Sequence, residues 1–192
     1  MKIQNKIRQH FYSEREEKIN ILSHGFGLIL SIIGFVFLLL RALENGNSIY
    51  IFSLTVFGLS LILLYTASTL YHSTQEPVAR NRYRMLDMAA IYVLIAGSYT
   101  PYALVMLKGT EGWKLFGIIW SIAFVGIIWK IFTTGKYNVI STLFYLFMGY
   151  LCLFYINPLL AKLPYEGLMW LISGGAAYTI GVFFYAMDNK IP

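Results

Sequence analysis

The sequence contains only one cysteine, Cys152, among its 192 residues. An intrachain disulfide is therefore impossible, and a metal site built from several thiolates is excluded. Charged residues are also scarce, since Asp, Glu, Lys and Arg together make up 12% of the chain. Soluble domains carry about 25% charged residues. This scarcity argues against a soluble globular domain.

Apolar residues are correspondingly abundant. The chain is 58% hydrophobic, with a mean hydropathy of +0.63. Apolar runs of about 18 residues or more are typical of membrane-spanning helices, and such runs recur almost from end to end. The sequence predicts an all-α fold, a polytopic transmembrane helical bundle that forms a single domain over residues 22–192. The predicted spans are 22–43, 49–72, 86–107, 113–132, 138–156 and 167–187.

Residues 1–21 differ from the rest of the chain in composition. They hold eight charged residues and no apolar core, so we expect no secretory signal peptide. Ile3, Ile7 and Phe11 recur every four residues, as they would in an amphipathic helix on the membrane surface. A polar tail without regular structure is the alternative that this pattern leaves open.

Lysine and arginine fall unevenly on the two sides of the predicted spans. Positively charged loops favour the cytoplasmic side of a membrane, so the distribution predicts a cytoplasmic N-terminus in the cell membrane. It also accounts for the net charge of +6 without a nucleic-acid partner. The predicted inner side takes Lys2, Lys6, Arg8, Arg15, Lys18, Arg80, Arg82, Arg84, Lys130, Lys136 and Lys190, and the outer side takes Arg41, Lys108, Lys114 and Lys162.

Four polar residues of the first three spans are predicted to share one membrane depth, at the inner surface. His24 lies at the start of the first span, Ser68 and His72 at the end of the second, and Asp87 at the start of the third. Ser68 and His72 are one helical turn apart and therefore point the same way. Ionisable groups within spans are costly and often mark functional sites.

Each of these residues also has an ordinary explanation. Ser68 is of a type that commonly bonds the carbonyl one turn back, here that of Leu64. His72 suits the membrane interface, and Asp87 suits the positive end of a helix dipole. His24 suits a packed histidine that bonds a neighbouring helix. Their shared depth is what favours a common site.

A metal is the ligand that these residue types suit best. Imidazole is the commonest transition-metal ligand, and a carboxylate can ligate directly or hold a water. A catalytic zinc ion usually has three protein ligands and one open position. His72 and Asp87 supply at most two. From spacing alone the metal site is incomplete, and His24 is left open as a third ligand.

Three ordered motifs resemble the haemolysin III-like membrane proteins of the wider progestin and adipoQ receptor (PAQR) family. They are "EEKINILSHGFG" at the first span, "YTASTLYHS" at the second and "RMLDMAAIYVLIAGSYTPY" in the third. The resemblance covers essentially the whole chain. It implies seven spans with the N-terminus inside, and a zinc site near the cytoplasmic surface.

The resemblance also implies roles for the predicted site residues. His72 would bind the metal, while Asp87 and Ser68 would contact or position a water; two further histidines would come from a seventh helix. Relatives in the broader superfamily include alkaline ceramidases, which hydrolyse a lipid amide with this arrangement. This sequence ends with "YAMDNKIP", before any such helix. Either the sequence is part of a longer protein, which is the alternative we favour, or the protein has six spans and an incomplete site. In both cases we expect weak zinc binding or none by residues 1–192.

Three functions follow as hypotheses. The first is a role in membrane-lipid homeostasis, in which a zinc ion clamps helices together. The second is a zinc-dependent intramembrane hydrolase of lipid amides or esters, with Asp87 and Ser68 as catalytic residues and His72 as the metal ligand. The third, a cytolytic haemolysin, comes from the family name alone. Membrane lipid is the expected partner. The small residues Ser23, Gly27 and Ser31 suit either packing within the bundle or a homo-oligomer.

Overall fold

The computed structural model describes residues 12–134 and 136–187. Over these residues the chain is helical and has no strand. Six of its helical segments are long and apolar enough to cross a membrane. The predicted all-α polytopic fold is thereby confirmed. The chain divides into two compact units, the first ending at Tyr137 and the second beginning at Asn138.

The first unit consists of four helices joined by short turns. Successive helices run antiparallel, because only a few residues connect the end of one to the start of the next. They are α1 (Glu14–Asn45), α2 (Ser48–Ser73), α3 (Pro77–Pro101) and α4 (Gly109–Thr133). The predicted spans 49–72 and 113–132 fall within α2 and α4.

Helix α1 begins at Glu14, eight residues before the predicted span 22–43. The reason is a capping box. The Ser13 hydroxyl accepts a hydrogen bond from the Glu16 backbone N–H, and the Glu16 carboxylate accepts one from the Ser13 backbone N–H. Acidic side chains in the first turn also suit the positive end of the helix dipole. The predicted amphipathic repeat of residues 1–11 lies outside the described residues.

Helix α3 begins at Pro77, nine residues before the predicted span 86–107. The predicted spans leave "STQEPVARNRYR" between the second and third spans, but this stretch is helical from Pro77 onward, and only residues 74–76 lie between α2 and α3. The Glu76 carboxylate caps the helix by accepting from the backbone of Val78 and Ala79. Proline is favoured in the first helical turn, where its missing N–H is not needed.

Pro101 ends the regular part of α3. A π-helical segment, Tyr102–Leu107, follows it and leads to Lys108, which has a positive φ of 57°. Wider helical turns accommodate a backbone from which proline has removed a donor. The third candidate span therefore runs on to Leu107.

The second unit consists of three α-helices and a 3₁₀ turn. They are α5 (Asn138–Tyr150), the 3₁₀ turn (Leu151–Tyr155), α6 (Ile156–Lys162) and α7 (Tyr165–Met187). The predicted spans leave "NPLLAKLPYE" between the fifth and sixth spans, but its first residues are helical and belong to α6. Pro158 lies in the first turn of α6, where proline is tolerated. Span 138–156 therefore extends to Lys162, and span 167–187 begins two residues earlier, at Tyr165.

Burial in the first unit is the reverse of that in a soluble protein. The buried positions hold many small or hydroxylated side chains, while large apolar side chains such as Phe37 and Phe124 are exposed. Small residues allow close helix packing in lipid. A Cβ on Gly27 would lie 2.4 Å from the Tyr65 ring, and one on Gly126 would lie 2.3 Å from the Tyr92 ring. Gly27 therefore serves packing between α1 and α2; the homo-oligomer stays a prediction.

Candidate functional site

The predicted site lies where α1 begins, α2 ends and α3 begins. Ser68 and His72 occupy successive turns of α2, and both are buried. Asp87 comes from the third turn of α3 and is half-buried. The three residues are thus on adjacent antiparallel helices at the same end of the first unit.

Ser68 and Asp87 lie close enough for their side chains to interact across α2 and α3, and the Asp87 carboxyl also interacts electrostatically with His72 and Arg84. The ordinary explanation for Ser68, a bond to the Leu64 carbonyl, does not account for this neighbour on α3. The structure brings the three predicted residues together, although the roles assigned to them stay predictions.

His72 is surrounded by rings that fix the plane of its imidazole. His24 of α1 stacks on it with a centroid separation of 5.6 Å and an interplanar angle of 10°. Tyr71 and Tyr12 lie at 4.7 Å and 5.7 Å from its centroid. His24 is itself half-buried and lies 6.0 Å from the Tyr65 ring. His24 therefore packs against rings of α2, while the hydrogen bond to a neighbouring helix that its ordinary explanation includes stays a prediction.

Two charged residues beside His72 were missed by the sequence analysis. The Glu17 carboxylate lies 2.7 Å from His72 Nδ1 through Oε2, and accepts from the Arg80 guanidinium through Oε1. Both charged side chains are buried, with 8% of Glu17 and 3% of Arg80 exposed. We call Glu17, His72 and Arg80 the buried ion-pair network. It joins the starts of α1 and α3 to the end of α2.

A sequence signal for Glu17 was present. Glu17, Asn20 and His24 are spaced i, i+3 and i+7, which places these three polar groups on one face of a helix. Starting the first span at residue 22 put Glu17 outside it and hid this face. Arg80 was likewise assigned to a connection, where an arginine is unremarkable. The Ser13 and Glu16 capping pair was the signal that would have corrected the first boundary.

The donor types at the site suit a zinc ion, but their number is not enough to complete its coordination. Imidazole and carboxylate are both zinc ligands, and His72 and Asp87 provide one of each. Within residues 12–134 and 136–187, no group of three or more His, Cys, Asp or Glu side chains is arranged to hold a metal. His24 therefore does not complete a three-ligand set with these two residues.

Comparison with known proteins gives consistent relatives. The model of a family described as "Haemolysin-III related" matches residues 12–192. The "Hemolysin-3 homolog" of Bacillus subtilis (strain 168) is 43% identical over 181 residues, covering 94% of this chain and 84% of that protein. "Hemolysin-3" of Bacillus cereus is 42% identical over 178 residues, covering 93% and 81%. No solved structure gives a significant match.

A more distant relative extends the comparison beyond bacteria. The human "Monocyte to macrophage differentiation factor" is 28% identical over 185 residues, covering 92% of this chain and 74% of that protein. Together the matches confirm the resemblance to haemolysin III-like proteins and the distant similarity to the PAQR family.

Proposed function

The chain belongs to the haemolysin-III related family, and we propose that it acts in membrane-lipid homeostasis through a zinc ion held in part by His72 and Asp87. The observation that carries this proposal is the placement of Asp87 beside Ser68 and His72 on adjacent helices, with the two residues of α2 buried. Polar and ionisable side chains are costly within helices that cross a membrane and are found there mainly for function.

The described residues provide two donors, so we expect them to hold zinc weakly. The family resemblance assigns the remaining ligands to a pair of histidines in a seventh helix. Besides His72, residues 1–192 contain only His10 and His24.

Hydrolysis of a lipid amide or ester is the reaction that this arrangement suits best. Zinc supplies a Lewis acid that activates water and polarises a carbonyl oxygen. Asp87 lies beside His72 and Ser68, where it would accept a proton from the attacking water and pass it to the amine or alcohol that leaves as the amide or ester bond breaks. The Ser68 hydroxyl would orient that water or donate to the developing oxyanion.

The test compares the unmodified protein with His72→Ala, with His10→Ala as the matched control. Zinc content is measured by mass spectrometry, and hydrolysis of ceramide and other acyl amides is measured in reconstituted vesicles. We expect His72→Ala to lose zinc and turnover, and His10→Ala to keep both. Equal zinc content in His72→Ala would overturn the proposal. Loss of zinc and thermal stability, without lipid turnover by any variant, would assign zinc a structural role.

A cytolytic activity is the second candidate, favoured by the name of the Bacillus cereus relative, "Hemolysin-3". Its test is the release of haemoglobin from erythrocytes by the purified protein over a range of concentrations. Lysis that persists in His72→Ala would favour this activity over the zinc-dependent one. We expect no lysis at concentrations that support vesicle reconstitution.

We propose that the site faces the cytoplasm, as the distribution of lysine and arginine predicts. The single cysteine simplifies the test, because Cys152→Ser gives a background without thiols. Arg82 and Lys114 are exposed and lie at opposite ends of the first unit. In intact cells, a membrane-impermeant maleimide should label Lys114→Cys and not Arg82→Cys. The reverse pattern would place the site on the outer side.

A further inference from the structure

Glu17 is a buried acidic residue that has no assigned role in the proposed lipid hydrolysis. The relative exposure of the whole residue, backbone included, is 6%, and Glu17 lies in the first turn of α1. One carboxylate oxygen meets His72 Nδ1 at 2.7 Å, and the other accepts from Arg80. A carboxylate in such a place is costly unless each oxygen has a partner. Both oxygens are used, and the partners come from two other helices.

Arg80 holds this carboxylate in a fixed position. Its guanidinium donates to the backbone carbonyls of Tyr71 and Thr74, at 3.2 Å and 3.0 Å, in addition to Glu17. It also lies 4.6 Å from the centroid of the Tyr71 ring, in cation–π geometry. Arginine offers several donors in a rigid plane, and here they connect the end of α2 to Glu17. The carboxylate therefore contacts His72 from a position that the backbone of α2 itself defines.

The contact with Glu17 decides which nitrogen of His72 carries a proton. A neutral imidazole has one donor nitrogen and one acceptor nitrogen, while a carboxylate can only accept. Nδ1 must therefore be the donor, and the lone pair lies on Nε2. The Asn20 amide nitrogen is 3.5 Å from the same Nδ1. That separation is at the limit for a hydrogen bond, so Glu17 determines the tautomer.

We propose that Glu17 is a positioning residue that holds His72 in the tautomer protonated at Nδ1 and presents Nε2 as a ligand for a divalent cation. Metal-binding histidines commonly donate their other N–H to a carboxylate, which fixes the ring and strengthens the ligand. Stacking with His24 at 5.6 Å restrains the same ring from its face. The identity of the cation as zinc rests on the proposed function; the tautomer does not.

The tautomer is measured directly on the metal-free, unmodified protein. Nitrogen chemical shifts of ¹⁵N-labelled histidines distinguish a protonated ring nitrogen from an unprotonated one, and His72→Gln assigns the signals of residue 72. We expect protonated Nδ1 and unprotonated Nε2. A proton on Nε2, or equal populations of the two tautomers, would overturn the proposal.

The effect on the metal is measured by zinc affinity in Glu17→Gln, with Glu14→Gln as the control. Glu14 is an exposed acid in the same turn of α1, so the substitution is matched in chemistry and helix position. Loss of an outer-shell carboxylate typically weakens metal binding about 10- to 100-fold. We expect that loss in Glu17→Gln and unchanged affinity in Glu14→Gln. Unchanged affinity in a folded Glu17→Gln would contradict the role of Glu17.

A second variant separates positioning from folding. If Glu17→Gln does not fold because Arg80 is left without its counter-charge, Glu17→Gln combined with Arg80→Met removes both charges. The folded double variant should show the same loss of zinc affinity, and full affinity in it would overturn the proposal. If the unmodified protein binds zinc no more tightly than His72→Ala does, the proposed function fails, while the nitrogen shifts of His72 still decide the role of Glu17.

Discussion

The carboxylate of Glu17 lies 2.7 Å from Nδ1 of His72, although 55 positions separate the two residues in the sequence. The contact ties the start of α1 to the end of α2 at a buried place in a bundle of apolar helices. Arg80 completes it from α3. The charged end of the first unit is therefore a single network rather than a set of independent interfacial side chains.

Removing Arg80 should destabilise the protein strongly. In Arg80→Met the buried Glu17 carboxylate loses its counter-charge and two carbonyls of the α2 end lose a donor. Breaking a buried ion pair by removing one partner costs about 3–5 kcal/mol. Thermal unfolding in detergent measures the change. Arg82→Met is the matched control, because Arg82 is exposed; it should change stability by less than about 0.5 kcal/mol. Equal effects in the two variants would contradict the prediction.

A methyl group at Gly126 should disrupt the packing of α3 on α4. Its Cβ would lie 2.3 Å from Cε1 of Tyr92, whose side chain is fully buried and cannot easily move away. Overpacking of this kind costs about 1–3 kcal/mol. Gly117→Ala on the same helix has nothing within 4 Å of its Cβ, so it should be neutral or slightly stabilising. The melting temperature should be lower for Gly126→Ala than for Gly117→Ala, and similar melting temperatures would contradict the prediction.

Thr100 and Trp120 should be energetically coupled. The indole Nε1–H of Trp120 donates to Thr100 Oγ1 at 3.1 Å, and the same hydroxyl donates to the Ala96 carbonyl at 2.9 Å. A double-mutant cycle of Thr100→Val and Trp120→Phe isolates the bond between α3 and α4. Interhelical bonds in membrane proteins average about 0.6 kcal/mol, and we expect a coupling of that size in unfolding measurements. Strictly additive effects would show that the contact adds nothing to stability.

The cap of α3 should make stability depend on pH in the acid range. Hydrogen bonds from the backbone of Val78, and then of Ala79, hold the pKa of the Glu76 carboxyl below its usual range. A lowered folded-state pKa adds stability at pH values above the ordinary pKa of about 4.3, and that stability is lost as the pH falls through the folded-state value. Glu76→Ala should therefore melt below the unmodified protein near neutral pH, and the two curves should converge in acid. A pH-independent difference would show that the carboxylate charge does not contribute.

Composition and periodicity determined the class of the fold and most of its helices. Low charge and repeated apolar runs are sufficient to predict the fold class, because a helix makes all its backbone hydrogen bonds internally and a bilayer core has no water to make them instead. The same patterns identified Ser68, His72 and Asp87, since polar residues stand out in apolar helices. Helix starts were less well predicted. The caps at Ser13 and Glu76 extend α1 and α3 through polar residues that hydropathy assigns to connections.

Only the tertiary structure revealed the buried ion-pair network. The sequence marks Glu17 only through its spacing from Asn20 and His24 and does not mark Arg80, whereas in the structure the two buried charges lie beside each other. Such a pairing depends on how three helices are rotated about their axes and on where their ends meet. Local pattern carries no information about that rotation, which is set by close packing such as that of Gly27 on Tyr65. The sequence thus determined which residues stand out, and packing decided which of them meet.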